Sequence, residues 1–273
     1  TGPTSTEPAL TAESGAFDTA ATLAALRAGE LEVVGRLVGS SNNAMVVRVR
    51  PPGSETAPDP EIGDDDTATI ELRPGEPLAV WKPTAGEQPL FDFPIGTLTR
   101  REVAAFLVSE ATGWSIVPPT ILRDGPYGEG SLQAWVTTDD SIDVVKLVVD
   151  SDPRLRRIAV FDAIVNNTDR KGGHLLPIEG SHIHAVDHGV TFSIVPKLRT
   201  LLWAWEGEPF APDERAVLVH VREGLRGELG DALRELLAAR EVLATEDRVD
   251  DLLATGVFPS PNPQWPAIPY PPF

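Results

Sequence analysis

The chain has 273 residues, enough to bury a sizeable core in one large domain or two tightly joined lobes. It contains no cysteine, which excludes disulfides, thiolate nucleophiles and zinc–thiolate sites together. Its net charge of −18 argues against a nucleic-acid partner and against stable docking on an anionic membrane, because both need a basic surface.

Residues 1–17 are small, polar and rich in Pro and Gly, the composition of a flexible segment. An Ala/Leu pattern predicts a short helix over 19–28, followed by strands over 31–38 and 44–50 with Gly39-Ser40-Ser41-Asn42-Asn43 as the turn between them. The Pro-, Gly- and Asp-rich stretch 51–67 reads as a loop, with strands expected at 68–72 and 78–82. Val103, Phe106 and Leu107 recur at helical spacing over 99–112. Thr99 is the expected N-cap, Glu102 completes a capping box, and Gly113 is the stop. Strands at 116–123 and 130–137 complete an antiparallel sheet interrupted by one helix.

The remainder reads as mainly helical. A helix is expected from Pro153 to about Asn166, then two short strands near 174–178 and 183–186. Further helices are expected at 194–206, 211–224, 226–240 and 244–255. Seven prolines between 259 and 272 forbid a helix there and predict an extended tail lying on the surface. Strands first and helices afterwards form the α+β pattern. The expected organisation is therefore a sheet-bearing N-lobe over 18–137, a helical C-lobe over 138–257 and a tail over 258–273. The junction at about 137–150 would act as a hinge, with a small-molecule cleft beside it.

The densest polar segment is Asn166-Asn167-Thr168-Asp169-Arg170-Lys171-Gly172-Gly173-His174, a loop between an apolar helix and an apolar strand. Eighteen residues after Asp169 a strand ends in Asp187-His188-Gly189. Phosphoryl transfer needs one Asp to orient the attacking hydroxyl, and another Asp with a second donor to hold a divalent cation. Asp169 and Asp187 suit those roles, with His174 as the second donor. The chain has only four lysines, so Lys82 at the end of an apolar strand is informative; Glu102 is placed to hold it by an ion pair. Backbone N–H groups and hydroxyls of the Gly39–Asn43 turn can cradle phosphate, although the turn carries no GxGxxG pattern. Each feature has an ordinary counterpart: a capped helix end at Asp169, a strand-ending turn at Asp187, a solvated lysine at Lys82 and a plain hairpin at Ser40, Ser41, Asn42 and Asn43.

Four stretches taken together carry a resemblance: Ala79-Val80-Trp81-Lys82-Pro83, Gly130-Ser131-Leu132-Gln133-Ala134-Trp135-Val136, Asn167-Thr168-Asp169-Arg170, and Ala185-Val186-Asp187-His188-Gly189-Val190-Thr191-Phe192. Their order resembles the phosphatidylinositol 3-/4-kinase superfamily, most closely the type II phosphatidylinositol 4-kinases and a small actinobacterial branch of their relatives. The likeness spans about 31–195. It implies a two-lobed protein-kinase-like fold that uses ATP with Mg²⁺ or Mn²⁺. Lys82 would contact phosphate with Glu102 as its partner, Asp169 would be catalytic and Asp187 would bind the metal. Gln133, Trp135 and Val136 would line the nucleotide. One departure is His174, which stands where the family has an asparagine ligand. Imidazole favours softer ions than Mg²⁺, which raises the claim of Mn²⁺ and also leaves a pseudokinase open.

The acceptor is less legible. No apolar run approaches the roughly 20 residues of a bilayer span, and no signal-peptide pattern opens the sequence, so a cytoplasmic protein is expected. The acidic balance favours a protein acceptor over a lipid one. The chain itself is included, through Ser and Thr of its first 17 residues and of the 52–67 loop. The competing readings are a nucleotide-binding pseudokinase or scaffold, a phosphatidylinositol kinase, and an AMP transferase.

Overall fold

The computed structural model describes residues 17–37, 43–54 and 76–273. The turn residues Ser40, Ser41 and Asn42, the strand expected at 68–72 and most of the loop before it lie outside these residues. Five described strands form one antiparallel sheet in the order β1-β2-β3-β5-β4. They are β1 (Glu30–Arg36), β2 (Met45–Arg50), β3 (Leu78–Pro83), β4 (Thr120–Gly125) and β5 (Gly128–Ala134). β4 starts four residues later than the expected 116–123, because Pro118 and Pro119 have no N–H to give a ladder, and β5 lies two to three residues before the expected 130–137.

Strand alternation gives the sheet two different faces. Met45, Val47, Ala79, Trp81, Leu132 and Ala134 point to one side and pack with Leu26 of α1 (Thr19–Ala28) into a small apolar core. The β3–β5 register pairs Val80 with Gln133 and Lys82 with Ser131, which sets Lys82 on the opposite face. Helix α2 (Leu98–Thr112) is buried on most of its circumference, between the sheet and the helices of the second half. It ends as expected at Gly113, whose φ of +67° suits a residue without Cβ. Its start differs from the expectation. Thr97 occupies the N-cap position, and the Thr99 N–H donates to Glu87 Oε1 at 2.9 Å, so Glu102 is not used in a capping box.

The second half is built on a large apolar core containing Phe161, Phe192, Trp205, Phe210, Leu218, Val249 and Phe258. Helix α3 (Val144–Val149), capped by Asp143, lies in the junction between the two halves. Helix α4 (Arg156–Val165) follows a 3₁₀ turn at Pro153–Leu155 and stops at Asn166, φ +51°. Strands β6 (Leu175–Pro177) and β7 (Ile183–Ala185) pair as a hairpin, as expected. Helices α5 (Pro212–Leu225), α6 (Glu228–Arg234) and α7 (Ala239–Thr255) complete the fold. The expected helix over 194–206 is absent. Pro196 lacks an N–H and disfavours helical geometry at Val195. The Asn166 amide donates to the carbonyls of Ser193 (2.9 Å) and Val195 (2.7 Å), and its Oδ1 accepts from Lys197 N (3.1 Å), taking groups a helix would use. The expected 226–240 helix shrinks to α6. In turn α7 begins five residues early, because the Glu241 carboxylate caps the Ala238 N–H.

Candidate active site

The site starts at the end of β3. Lys82 Nζ lies 2.5 Å from Glu102 Oε1 of α2 and 3.0 Å from Asp187 Oδ1 after β7. Burial pulls the Lys82 ammonium toward neutrality, but the Asp187 and Glu102 carboxylates outweigh it and hold the pKa above the usual lysine value. Reciprocally, the Lys82 ammonium is the main influence holding the Asp187 carboxyl well below its usual range, against the opposing effect of burial. Both groups are therefore charged near neutral pH. The second oxygen of Glu102 accepts from the backbone N–H of His188 at 2.9 Å. One carboxylate thus fixes both the lysine and the Asp187 loop.

Asp187 sits at φ +61° and Phe192 at +59°, left-handed geometry that is uncommon for residues with a side chain and is retained where surrounding contacts enforce it. The enforcing contacts lie beneath the loop. Arg170, fully buried, forms a bidentate pair with buried Asp162 of α4, donates to Val186 O at 2.9 Å, and places Nη2 2.7 Å from His188 Nε2. Asn167 Nδ2 also donates to Asp162 Oδ1 at 3.0 Å. Burial, aided by the Arg170 guanidinium, pushes His188 well below the usual imidazole pKa, so the ring is neutral and accepts from Arg170 through Nε2. This network ties the 167–170 loop to the 186–188 loop.

Asp169 projects from the first of these loops. Its backbone N–H is held by Asn167 Oδ1 at 3.0 Å, and its carboxylate lies 3.2 Å from Lys171 Nζ and 3.4 Å from Arg199 Nη2. It makes no direct contact with the Lys82 cluster. His174 is the bridge between the two groups. Its Nε2 is 3.3 Å from Asp187 Oδ2, and its Nδ1 accepts from the Lys171 N–H at 3.4 Å. Burial lowers the His174 pKa in spite of the nearby Asp187 carboxylate, so this ring is neutral as well.

Among the described residues no set of three or more His, Asp or Glu converges as a ready-made metal cage. The available donors fit a cation that draws its remaining ligands from phosphate, as Mg²⁺ commonly does. Asp187 Oδ2 and His174 Nε2 are spaced close to the ~3 Å that separates adjacent ligands of an octahedral ion with ~2.1 Å bonds. Ligation by His174 requires its proton to move from Nε2 to Nδ1, which faces the Lys171 N–H, so Asp187 is the stronger donor of the pair.

The other expected residues divide. Gln133 lies on the Lys82 face of the sheet, but its amide is engaged by Thr120 Oγ1 at 2.9 Å. Trp135 and Val136 leave the end of β5, with the Trp135 N–H on Leu78 O at 3.1 Å. Asn43 precedes β2 at φ +46°. Sequence reasoning did not single out Asp162, Arg199 or His188. Asp162 carried a signal, as a carboxylate at an apolar position of a helix, whereas Arg199 lay in a segment misread as helical.

No protein-family model matches the chain. Among solved structures it is similar to hydra Fam20 with sugar, with a TM-score of 0.51, 14% identity and 90% of each chain covered. It is also similar to the Helicobacter pylori proinflammatory kinase CtkA, with a TM-score of 0.47 and 9% identity over 84% of this chain and 93% of that one. The fold is the kinase-like α+β fold, with a five-stranded antiparallel sheet and helices. In sequence, phosphatidylinositol 4-kinase gamma 4 of Oryza sativa is 27% identical over 57% of this chain, which spans 33% of that protein's length. Protein Rv2133c of Mycobacterium tuberculosis is 36% identical, covering 92% of this chain and 95% of its own length. With that identity over nearly the whole of both chains, the protein belongs to the Rv2133c family.

Proposed function

We propose that the chain is an ATP- and divalent-cation-dependent phosphotransferase that phosphorylates protein hydroxyl groups, its own Ser and Thr residues among them. The observation that carries the reading is the joining of Lys82, Glu102 and Asp187 in one charged cluster, with Asp169 on a loop tied to the same segment through Arg170. The rice relative's name, a phosphatidylinositol 4-kinase, supports the reaction class. The charge of −18 favours a protein acceptor over a lipid surface.

Each residue has a defined task. Lys82, oriented by Glu102, presents its ammonium to phosphate oxygens. Asp169 positions the acceptor hydroxyl and takes its proton as the oxygen bonds to the γ-phosphorus and the bridge to the β-phosphate breaks, releasing ADP. Asp187, with His174, would hold the divalent cation, which supplies charge neutralisation to the phosphates when bound. The charge balance makes that cation necessary. Lys82, Lys171 and Arg199 are already matched by Glu102, Asp187 and Asp169, so little positive charge is left over for a triphosphate.

The test is incubation of the pure protein with γ-labelled or α-labelled ATP and Mg²⁺ or Mn²⁺. Transfer of γ-label to protein, abolished in Asp169→Ala and Asp187→Ala, is the expected result. Transfer of α-label would instead establish AMP transfer. A second reading, a nucleotide-binding pseudokinase, is favoured by one observation: both Asp187 oxygens already face groups of the protein, Lys82 and His174. It predicts thermal stabilisation by ATP with no transfer of either label.

A further inference from the structure

The tail after α7 is a fixed part of the molecule, and its attachment points are selective. Asn262 Nδ2 donates to Pro196 O at 2.7 Å, and Trp265 places its ring 5.7 Å from Lys197 Nζ. The carbonyl of Ala267 accepts two hydrogen bonds, from Thr200 N at 3.0 Å and from Trp203 Nε1 at 2.9 Å. At its far end the carbonyl of Pro272 accepts from Gly172 N at 2.9 Å. The Phe273 ring lies where Gly172 has no side chain; a Cβ there would sit 2.0 Å from Phe273 Cδ1.

These anchors fall on the two segments that hold Asp169. One is 196–203, which carries Arg199 to one carboxylate oxygen; the other is 171–172, which carries Lys171 to the other. Segment 196–203 belongs to no helix and Gly172 only opens a 3₁₀ turn over Gly172–His174, and the described structure joins both segments to one strip of chain that turns once between Asn262 and Trp265. Proline density suits that strip, because fixed φ angles reduce the entropy lost on docking. The strip does not cover the site. With it in place the Asp169 side chain remains 27% exposed and that of Asp187 44%.

We infer that residues 262–273 form a strap whose Trp265 and Phe273 are positioning residues for Asp169, acting through Arg199 and Lys171. The inference rests on the reading of Asp169 as the acceptor-orienting group, and it assigns the strap a supporting role and not a plugging one.

The test uses the full chain carrying Trp265→Ala with Phe273→Ala, and separately Gly172→Ala, which dislodges the same ring from the opposite side. Hydrogen exchange over 171–174 and 196–203, ATP affinity and phosphoryl-transfer kinetics are measured on each. Backbone exchange in both segments should rise at least tenfold. Turnover should fall at least tenfold while the KM and affinity for ATP stay within twofold, and Phe273→Tyr should keep wild-type turnover. Unchanged exchange in the double variant would overturn the strap. So would raised exchange with turnover that is unchanged or increased, the latter marking the tail as an inhibitory plug. If the wild-type chain transfers no phosphate at all, the phosphotransferase reading fails separately, and the exchange measurement alone decides whether the strap holds these loops.

Discussion

Asp187 combines a left-handed backbone, a lysine on one oxygen and an imidazole near the other. The Asp187 side chain is itself 44% exposed, so its worth to folding should be small and its worth to ligand binding large. Asp187→Asn is expected to abolish metal-dependent stabilisation by ATP in a thermal-shift assay. The melting temperature of the ligand-free protein should move by no more than about 2 °C, the equivalent of about 1 kcal/mol for a chain of this size. His188 is the opposite case, a buried neutral ring accepting from Arg170. Its folded pKa is depressed, so protons bind preferentially to the unfolded chain once pH falls below the unfolded value of about 6.5. Stability attributable to it is complete above that value and is lost below it, by up to about 1.4 kcal/mol per pH unit. His188→Gln, which keeps an acceptor and removes the titration, should flatten the decline in melting temperature between pH 7 and pH 5. Lys82 and Asp187 were legible in the sequence because lysine is scarce and because an Asp-His-Gly ending a strand is locally distinctive. Lys171 and Arg199 were not, since their task is to grip Asp169 across separations of two and thirty residues, and no local pattern encodes the second.

At the scale of elements, α2 is pinned to the helical half. Arg101, adjacent to Glu102, donates to Glu241 Oε1 of α7 at 2.5 Å and to Thr191 O at 2.7 Å, with its guanidinium over the Phe93 ring. The ion pair is almost completely enclosed. Removing one partner leaves the other charge stranded, so Glu241→Ala should destabilise the protein by about 3–5 kcal/mol in denaturant titrations. The double variant Arg101→Met with Glu241→Met should lose much less, because two apolar groups need no compensation. A cycle in which the double variant loses as much as the single one would show that Thr191 and Phe93, and not the pair, hold Arg101. Elements bounded by clear stop signals, such as α2, α4 and the β6–β7 hairpin, were readable to within three residues. The 194–206 segment was not, because the Asn166 side chain takes its backbone groups from another loop. Glu102 was read two ways, as a capping residue and as a lysine partner, and the structure uses only the second.

For the whole molecule the dominant property is the charge of −18. A field of this sign attracts cationic segments and repels anionic bilayers. Basic peptides should therefore be better acceptors than acidic ones of equal length, and their KM should rise severalfold between about 50 and 300 mM salt as the field is screened. An acceptor preference insensitive to salt would mean that recognition is made by close contacts instead. No helix among the described residues is long and apolar enough to cross a membrane. The fold class was legible from the order of strands and helices, yet the course of the tail was not. Its prolines predicted an extended chain, whereas its docking on Gly172 and Thr200 depends on surfaces distant in sequence.

The two bonds made by Glu102 have a consequence for descent. One oxygen holds Lys82 and the other holds the His188 N–H, so losing this carboxylate costs the lineage both the anchor of Lys82 and the shape of its aspartate loop in a single step. The Asp169 carboxylate is held by two partly exposed cations and can be discarded with little damage to the fold. A homologue drifting from transfer toward mere nucleotide capture would shed Asp169 early and keep Glu102 until the end. That order of loss, read across relatives, separates lapsed enzymes from working ones.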